Sequence, residues 1–72
     1  MSNKDPPITT KREREVLLWL SRGKSAEDVG TILDITASTV MFHYRSAAKK
    51  YGTATRTQTV VEAIKRGDVP LN

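Results

Sequence analysis

The chain has 72 residues with room for one small core, no cysteine that could form a disulfide, and a single histidine, which argues against a zinc site. No apolar run approaches the ~20 residues that span a membrane and no signal-peptide pattern is present, so we expect an all-helical cytoplasmic domain. Its formal charge of +4 lies entirely within residues 35–61, which hold four basic residues and no acid, and such a segment indicates a polyanionic partner.

The N-terminal residues indicate where the first helix begins. Residues 1–8 are predicted to be a flexible leader or linker, because two prolines and small polar residues do not continue a helix. Thr10 and Glu13 then form a T-x-x-E capping box. A first helix is therefore predicted over about 11–22.

A second helix is predicted over 26–33, with Ser25 as its cap. Its apolar positions are Val29, Ile32 and Leu33. Gly30 lies in the middle of this helix and costs about 1 kcal/mol relative to alanine. We expect close approach of another helix at Gly30 as the compensation.

A third helix is predicted over about 37–50, with Thr36 as its cap, only about three residues after the second. Such a short joint is what a helix-turn-helix unit requires. Thr55 and Gln58 form another capping box, which predicts a fourth helix over about 56–66. The predicted fold class is all-α, with four helices that contain a helix-turn-helix.

Projection at 100° per residue divides the third helix into two faces. The predicted buried stripe comprises Val40, Tyr44, Ala47 and Tyr51, and the opposite face carries Ser38, Met41, Phe42, Arg45 and Lys49. We interpret the acid-free outer face as a surface that enters the DNA major groove, where Arg45 donates to guanine and where Met41 and Phe42 contact thymine methyl groups or exclude water from the base edges. The alternatives are an ordinary solvated face, or burial of Phe42 against the fourth helix.

Contacts to DNA phosphates are expected on both sides of these base-reading residues. Thr36 and Thr39, at the N-terminus of the third helix, can hold a phosphate. Lys49 and Lys50 lie further along the helix and would meet the DNA backbone. His43 lies at the edge of the buried stripe, where we interpret it as a packing residue, with a phosphate contact as its functional alternative.

Four ordered motifs resemble the LuxR-type (LuxR/NarL) helix-turn-helix domain. Residues 10–17 resemble its T-x-R-E-x-E-V-L opening, residues 23–25 its G-K-S turn, residues 35–43 its I-S-x-x-T-V-x-x-H signature, and residues 50–52 and 56–61 its K-L-G and N-R-x-x-A-V segments. The resemblance covers about residues 9–69, and leaves residues 1–8 as the leader and 70–72 as a tail.

The resemblance implies a bacterial, nucleoid-associated transcription regulator that binds an inverted repeat in double-stranded DNA as a homodimer. It also implies the output domain of a quorum-sensing regulator or of a response regulator. Positions that match the family's base-reading residues are Met41, Phe42 and Arg45, and those that match its backbone contacts are Lys24, Thr36, Thr39 and Lys49. Val60, Val61 and Ile64 match the dimer contact, with a place in the core as the alternative for each.

The chain departs from the family pattern at Thr9, Met41, Ser46, Ala47, Tyr51, Thr55 and Asp68. Thr9 stands where an apolar residue is usual, Tyr51 replaces a leucine, and Asp68 replaces an apolar residue before Val69. From these departures we expect a shifted start of the first helix and an altered end of the fold.

Sequence-specific DNA binding is the leading hypothesis from the sequence. The alternative is a protein-interaction module that regulates a partner regulator or RNA polymerase through the basic face. An enzyme is not expected, because the chain has no nucleophile–base–orienter set and no glycine-rich phosphate loop. No cofactor or metal is expected either.

Overall fold

The computed structural model describes residues 6–71, and within them the chain forms four α-helices and no strand. The helices are α1 (Lys11–Ser21), α2 (Ala26–Leu33), α3 (Ala37–Tyr51) and α4 (Arg56–Lys65). The predicted all-α class is confirmed, and each helix boundary lies within one residue of its prediction. None of the described helices is long and apolar enough to cross a membrane. Residues 1–5 of the predicted leader and residue 72 of the predicted tail lie outside the described residues.

Side-chain caps set where the helices begin. The hydroxyl of each N-cap accepts a hydrogen bond from the amide three residues further on, and the four caps are Thr10, Ser25, Thr36 and Thr55. In both predicted capping boxes the N-cap amide also donates back, from Thr10 to Glu13 at 2.8 Å and from Thr55 to Gln58 at 3.2 Å. Because each bond satisfies an amide that has no partner within the helix, the helix starts follow from local sequence.

Two apolar clusters make the core, and α3 contributes to both. The first contains Leu17, Ala47, Tyr51, Ala63 and Val69, and the second contains Val16, Leu20, Val29 and Val40. Tyr44 is partly buried and packs against both clusters. The stripe predicted for α3 therefore faces the core along the whole helix, which leaves the opposite side of α3 toward solvent.

The turn between α2 and α3 packs directly on Gly30. A Cβ atom at this position would lie 2.5 Å from the carbonyl oxygen of Ile35 and 3.4 Å from the amide nitrogen of Ala37. The Ile35 amide also donates to the Gly30 carbonyl at 2.9 Å. The close approach predicted at Gly30 is present, but the neighbour is the turn and the first residue of α3 rather than the side of another helix.

Ile32 is one of the apolar positions of α2, but it is not part of the core. Its side chain is 44% exposed, whereas Val29 and Gly30 are buried. The buried face of α2 is centred between Val29 and Gly30, because the glycine allows the turn to approach on that side. Ile32 projects on the other side of Val29, about 110° from the centre of this face.

We expect Gly30→Ala to lower the free energy of unfolding by about 1–3 kcal/mol, because the Ile35 carbonyl cannot move aside without disrupting the turn. Helix propensity alone would give the opposite sign, a gain of about 1 kcal/mol. Urea unfolding followed by circular dichroism measures the difference. Thr31→Ala, at the next and exposed position of α2, is the control and should not destabilise the domain. A Gly30→Ala variant as stable as the parent would contradict the close approach.

Asp68 joins the two ends of the domain through a network that we call the terminal clasp, formed by Thr9, Tyr51 and Asp68. The Asp68 carboxylate accepts hydrogen bonds from the Thr9 hydroxyl at 3.0 Å and from the Tyr51 phenol at 2.5 Å. The guanidinium of Arg66 lies 5.2 Å from the centre of the Tyr51 ring. The three clasp residues are among the positions that depart from the LuxR pattern. The expected shift of the first helix is absent, since α1 still begins at Lys11.

The environment of Tyr51 keeps its phenol protonated. Burial raises the pKa of Tyr51, and the hydrogen bond to the Asp68 carboxylate raises it further, because a phenolate would lie beside a second anion. Tyr51 is therefore a constant donor in the clasp over the ordinary pH range.

We expect Asp68→Ala to lower the free energy of unfolding by about 2 kcal/mol, because it leaves the hydroxyls of Thr9 and Tyr51 without their acceptor. A double-mutant cycle with Tyr51→Phe tests this by chemical denaturation. The double variant should be little less stable than Asp68→Ala alone, since one change removes the bond that the other would break. Strictly additive losses would show that the two side chains are not coupled.

Candidate nucleic-acid interface

The outer face of α3 is open to solvent. Phe42 is 64% exposed, Arg45 and Lys49 are exposed, and Met41 is half-buried. Arg45 lies four positions after Met41 and three after Phe42, and Lys49 lies four positions after Arg45, so each of these pairs has neighbouring side chains on one face of the helix. The structure thus brings the three predicted base-reading residues together on one surface, and it excludes burial of Phe42 against α4.

Arg45 and Lys49 form no ion pair within the part of the domain that the structure describes. The ion pairs among residues 6–71 join Arg12 to Glu15, Lys50 to Glu13, and both Lys65 and Arg66 to Glu62. None of them includes Arg45 or Lys49. Both cations of the outer face of α3 therefore remain available to an anionic partner.

His43 packs against Phe42. Their ring centroids lie 5.6 Å apart with an angle of 71° between the planes, which is an edge-to-face contact. His43 is half-buried, so one side of the Phe42 ring rests on a residue that the fold holds in place. This arrangement favours the packing interpretation of His43 over a phosphate contact.

The N-terminus of α3 carries a group of hydroxyls. The Thr36 hydroxyl accepts from the Thr39 amide at 3.1 Å, and it lies 2.9 Å from the Thr39 hydroxyl and 3.1 Å from that of Ser38. Thr36 is exposed and Thr39 is half-buried. The two predicted phosphate contacts therefore lie side by side at the positive end of the helix dipole. Lys24 is exposed in the turn between α1 and α2.

Lys50 and Arg56, two of the four basic residues in the acid-free segment, are engaged inside the domain. The Lys50 ammonium donates to both carboxylate oxygens of Glu13, at 2.8 and 3.1 Å. The Arg56 guanidinium donates to the carbonyl oxygens of Leu20 and Lys24, at 2.9 and 3.2 Å. The ammonium of Lys50 is directed to a buried carboxylate, so the predicted contact of Lys50 with the DNA backbone would compete with this ion pair. The sequence offers no local signal of these contacts. Glu13 is 37 residues from Lys50, and Leu20 is 36 residues from Arg56.

Glu13 is buried and ionised. Its side chain is 3% exposed, and this burial raises the pKa of the carboxyl. Hydrogen bonds from Lys50 and Ser46 act in the opposite direction, as does the bond from the Thr10 amide, and they lower the pKa from 4.5 to about 2. Glu13 thus both completes the capping box of α1 with Thr10 and anchors the C-terminal half of α3 through Lys50.

We expect the unfolding free energy to fall by an amount on the order of 2 kcal/mol as the pH falls from about 5 to 2. A carboxyl whose pKa is lower in the folded state stabilises the fold above its unfolded pKa, and this contribution is lost as the folded carboxyl becomes protonated. Glu13→Gln keeps a side chain that can complete the capping box but removes the charge. The unfolding free energy of this variant should therefore depend less on pH in this range. The measurement is urea unfolding at a series of pH values.

Glu15→Gln is the control for the pH prediction. Glu15 pairs with Arg12 at 3.2 Å on the exposed side of the same helix, where such pairs contribute about 0–1 kcal/mol. The Glu15→Gln variant should keep the slope of the parent. If both variants kept it, the acid sensitivity would arise elsewhere.

The three positions that match the family's dimer contact differ in exposure. Val61 is 49% exposed and Val60 is half-buried, and both line a shallow groove of about 240 Å³ between α1 and α4. Ile64 packs against the first core cluster. Val60 and Val61 therefore offer an apolar surface, while Ile64 takes part in the core.

Comparison with known proteins identifies the family. A family model described as GerE, bacterial regulatory proteins, luxR family, matches residues 8–63. The chain is 50% identical to the transcriptional activator BjaR1 of Bradyrhizobium diazoefficiens over 56 residues, 78% of this chain and 23% of that protein. It is 41% identical to LuxR of Aliivibrio fischeri over 66 residues, 92% of this chain and 26% of LuxR. It is 44% identical to RpaR of Rhodopseudomonas palustris, a quorum sensing-dependent regulator, over 62 residues, 86% of this chain and 26% of RpaR.

Solved structures that resemble this fold point to the same family. The transcription factor GerE superposes with a TM-score of 0.88 at 31% identity, covering 93% of this chain and all of GerE. The LuxR-type receptor VqmA of Vibrio cholerae, a dimer solved without its target DNA, superposes with a TM-score of 0.80 at 28% identity, covering 96% of this chain and 32% of VqmA. The chain spans about a quarter of the length of the curated relatives, which are described as transcriptional activators or regulators. The chain therefore belongs to the luxR family of bacterial regulatory proteins, and its four helices form that family's helix-turn-helix domain.

Proposed function

We propose that this domain binds double-stranded DNA sequence-specifically, with α3 in the major groove, as the DNA-binding part of a transcription regulator. The observation that carries the proposal is the outer face of α3, where exposed Phe42 lies beside the unpaired cations Arg45 and Lys49 and no acid intervenes. A helix of about 10–12 Å diameter fits a major groove about 12 Å wide. In that position the Arg45 guanidinium can donate two hydrogen bonds to O6 and N7 of guanine.

The proposed backbone contacts surround this reading face. Thr36 and Thr39 would bind one phosphate at the start of α3, and Lys49 another near its end. Lys24 would reach the same backbone from the turn between α1 and α2. Lys50 is left out of the proposed set because it is paired with Glu13.

We further propose that two copies bind an inverted repeat, with Val60 and Val61 in contact across a two-fold axis. A symmetric dimer needs the same surface on both subunits, and the exposed apolar side of α4 supplies one. Half-site centres should then lie about one helical turn, ~34 Å, apart. The description of VqmA as a dimer supports this arrangement.

The proposed setting is the cytoplasm of a bacterium, where the domain is the output part of a quorum-sensing regulator or of a response regulator. The likeness to RpaR, a quorum sensing-dependent regulator, supports the first of these. RNA polymerase is a proposed second partner when the domain is bound at a promoter. Control of a partner regulator or polymerase without DNA binding is the competing function.

We expect Arg45→Ala and Lys49→Ala to weaken DNA binding in different ways. Arg45→Ala should cost about 1–3 kcal/mol on the preferred sequence and relax the preference at one base pair, since a base contact is lost. Lys49→Ala should weaken binding to all duplexes alike. It should also make the slope of log K against log[salt] shallower by about 0.9, the contribution of one phosphate contact. Fluorescence anisotropy with specific and scrambled duplexes over a range of salt concentrations measures both effects.

Arg12→Ala is a suitable control for loss of charge, because Arg12 is exposed on α1 and pairs with Glu15. It should leave the sequence preference unchanged. Normal specificity in Arg45→Ala would show that Arg45 does not read a base. Failure of the parent to bind any duplex at low salt would instead favour the protein-interaction module.

A further inference from the structure

We infer that, in the absence of DNA, copies of this chain associate by placing the outer face of α2 of one copy on the outer face of α3 of another. The contact covers the surface proposed to enter the major groove, so it holds the free domain in a form that does not bind DNA. The association itself is independent of the proposed function, and only its effect on DNA binding rests on it. It uses other residues than the proposed α4 contact.

The outer face of α2 is acidic and carries one exposed apolar side chain. It comprises Glu27, Asp28, Thr31 and Ile32, all of which are exposed. Asp28 and Ile32 lie four positions apart, so their side chains are neighbours. Residues 25–44 include three acids and neither lysine nor arginine. No cation on α2 itself therefore neutralises this face.

The acids of this face have no ion-pair partner in the described part of the chain. None of the ion pairs found there includes Glu27 or Asp28, just as none includes Arg45 or Lys49. Ile32 is 44% exposed and lies outside both core clusters. The acidic face of α2 and the basic face of α3 thus do not pair with each other within one copy, and each is open to a second molecule.

The outer face of α3 has the opposite charge and a similar arrangement. Phe42 is 64% exposed and lies three positions before Arg45, and Lys49 follows four positions after Arg45. Helical neighbours at either spacing have Cβ atoms about 5–6 Å apart. Ile32 of one copy can therefore pack on Phe42 of another. At the same separation along the two helices, Asp28 reaches the Arg45 guanidinium.

A second copy is the occupant that these faces fit, because one chain supplies both of them. Each face joins charges of one sign to an exposed apolar side chain, so a single contact pairs the charges and buries apolar surface. Such charge pairs contribute little at a surface, and salt screens them. We therefore expect weak association that strengthens as the salt concentration falls. A DNA duplex should displace it, since its phosphates carry a much higher density of charge.

The concentration dependence of NMR spectra of the 72-residue chain at low salt tests the contact. Amide shifts should change with protein concentration on the outer faces of α2 and α3, and the changes should shrink as salt is added. Sedimentation equilibrium should show a weight-average mass that rises over the same range. Spectra that do not change with concentration, or that change only along α4, would overturn the inference and leave the proposed DNA binding intact.

Charge reversal tests the pairing of Asp28 with Arg45. Asp28→Lys and Arg45→Glu should each weaken self-association by about fivefold, because a surface ion pair is lost and a repulsion takes its place. The double variant has the net charge of the parent and should recover most of the association, since the pair is restored with its signs exchanged. A double variant no better than the single ones would contradict the pairing.

Glu15→Lys is the control for net charge. It changes the charge of the chain as Asp28→Lys does, but on α1, so it should weaken association less. An effect of net charge alone would strengthen association in Arg45→Glu, because the positive charge of each copy falls. That result would overturn the inference.

Ile32→Ala tests the apolar part of the contact without a change in charge. It should weaken self-association by about fourfold or more, the effect of at least one methylene group removed from the contact. The thermal midpoint of unfolding should stay close to that of the parent, because Ile32 is outside the core. Ile8→Ala, at a position before α1 that is 46% exposed, is the matched control and should leave the association unchanged. Equal association in Ile32→Ala and the parent would show that α2 is not part of the contact.

Discussion

The structure depends on the burial of one side of α3 in both core clusters. Val40 belongs to one cluster, Ala47 and Tyr51 belong to the other, and Tyr44 touches both. Because the two clusters lie at different heights along α3, the helix can neither rotate nor slide without opening one of them. This constraint decides which side chains face solvent, so the direction of Phe42 and Arg45 follows from core packing rather than from anything on the outer face.

The basic residues of the acid-free segment have two different roles, and residues with different roles lie next to one another in the sequence. Lys50 neutralises the buried Glu13, and Arg56 binds backbone carbonyls at the end of α1 and in the following turn, so both cations hold helices together. Arg45 and Lys49 lie on the same acid-free segment, but on the solvent-facing side of α3. The attraction for a polyanion therefore comes from fewer side chains than the formal charge indicates, and these are concentrated on one face.

The terminal clasp shows how a polar network can replace apolar packing at the edge of a small core. Thr9, Tyr51 and Asp68 each stand where the family pattern has an apolar residue. Together they satisfy one another, since one carboxylate accepts from both hydroxyls, and no buried side-chain polar atom among residues 6–71 lacks a partner. The clasp joins the segment before α1 to the segment after α4. Tyr51 is also a member of the first core cluster, so the clasp is connected to the core.

The amino-acid sequence by itself determined the four helices, their caps and the buried stripe of α3, because these depend on bonds and periodicities that span at most four residues. The face that carries Met41, Phe42 and Arg45 could be predicted for the same reason. Only the tertiary structure decided that Gly30 faces the turn and leaves Ile32 exposed, and that Lys50 is directed to Glu13. It alone also joined Thr9 to Asp68, which lies 59 residues away. Contacts of this kind form when separate helices meet, and no local pattern in the chain constrains which side chains then become neighbours.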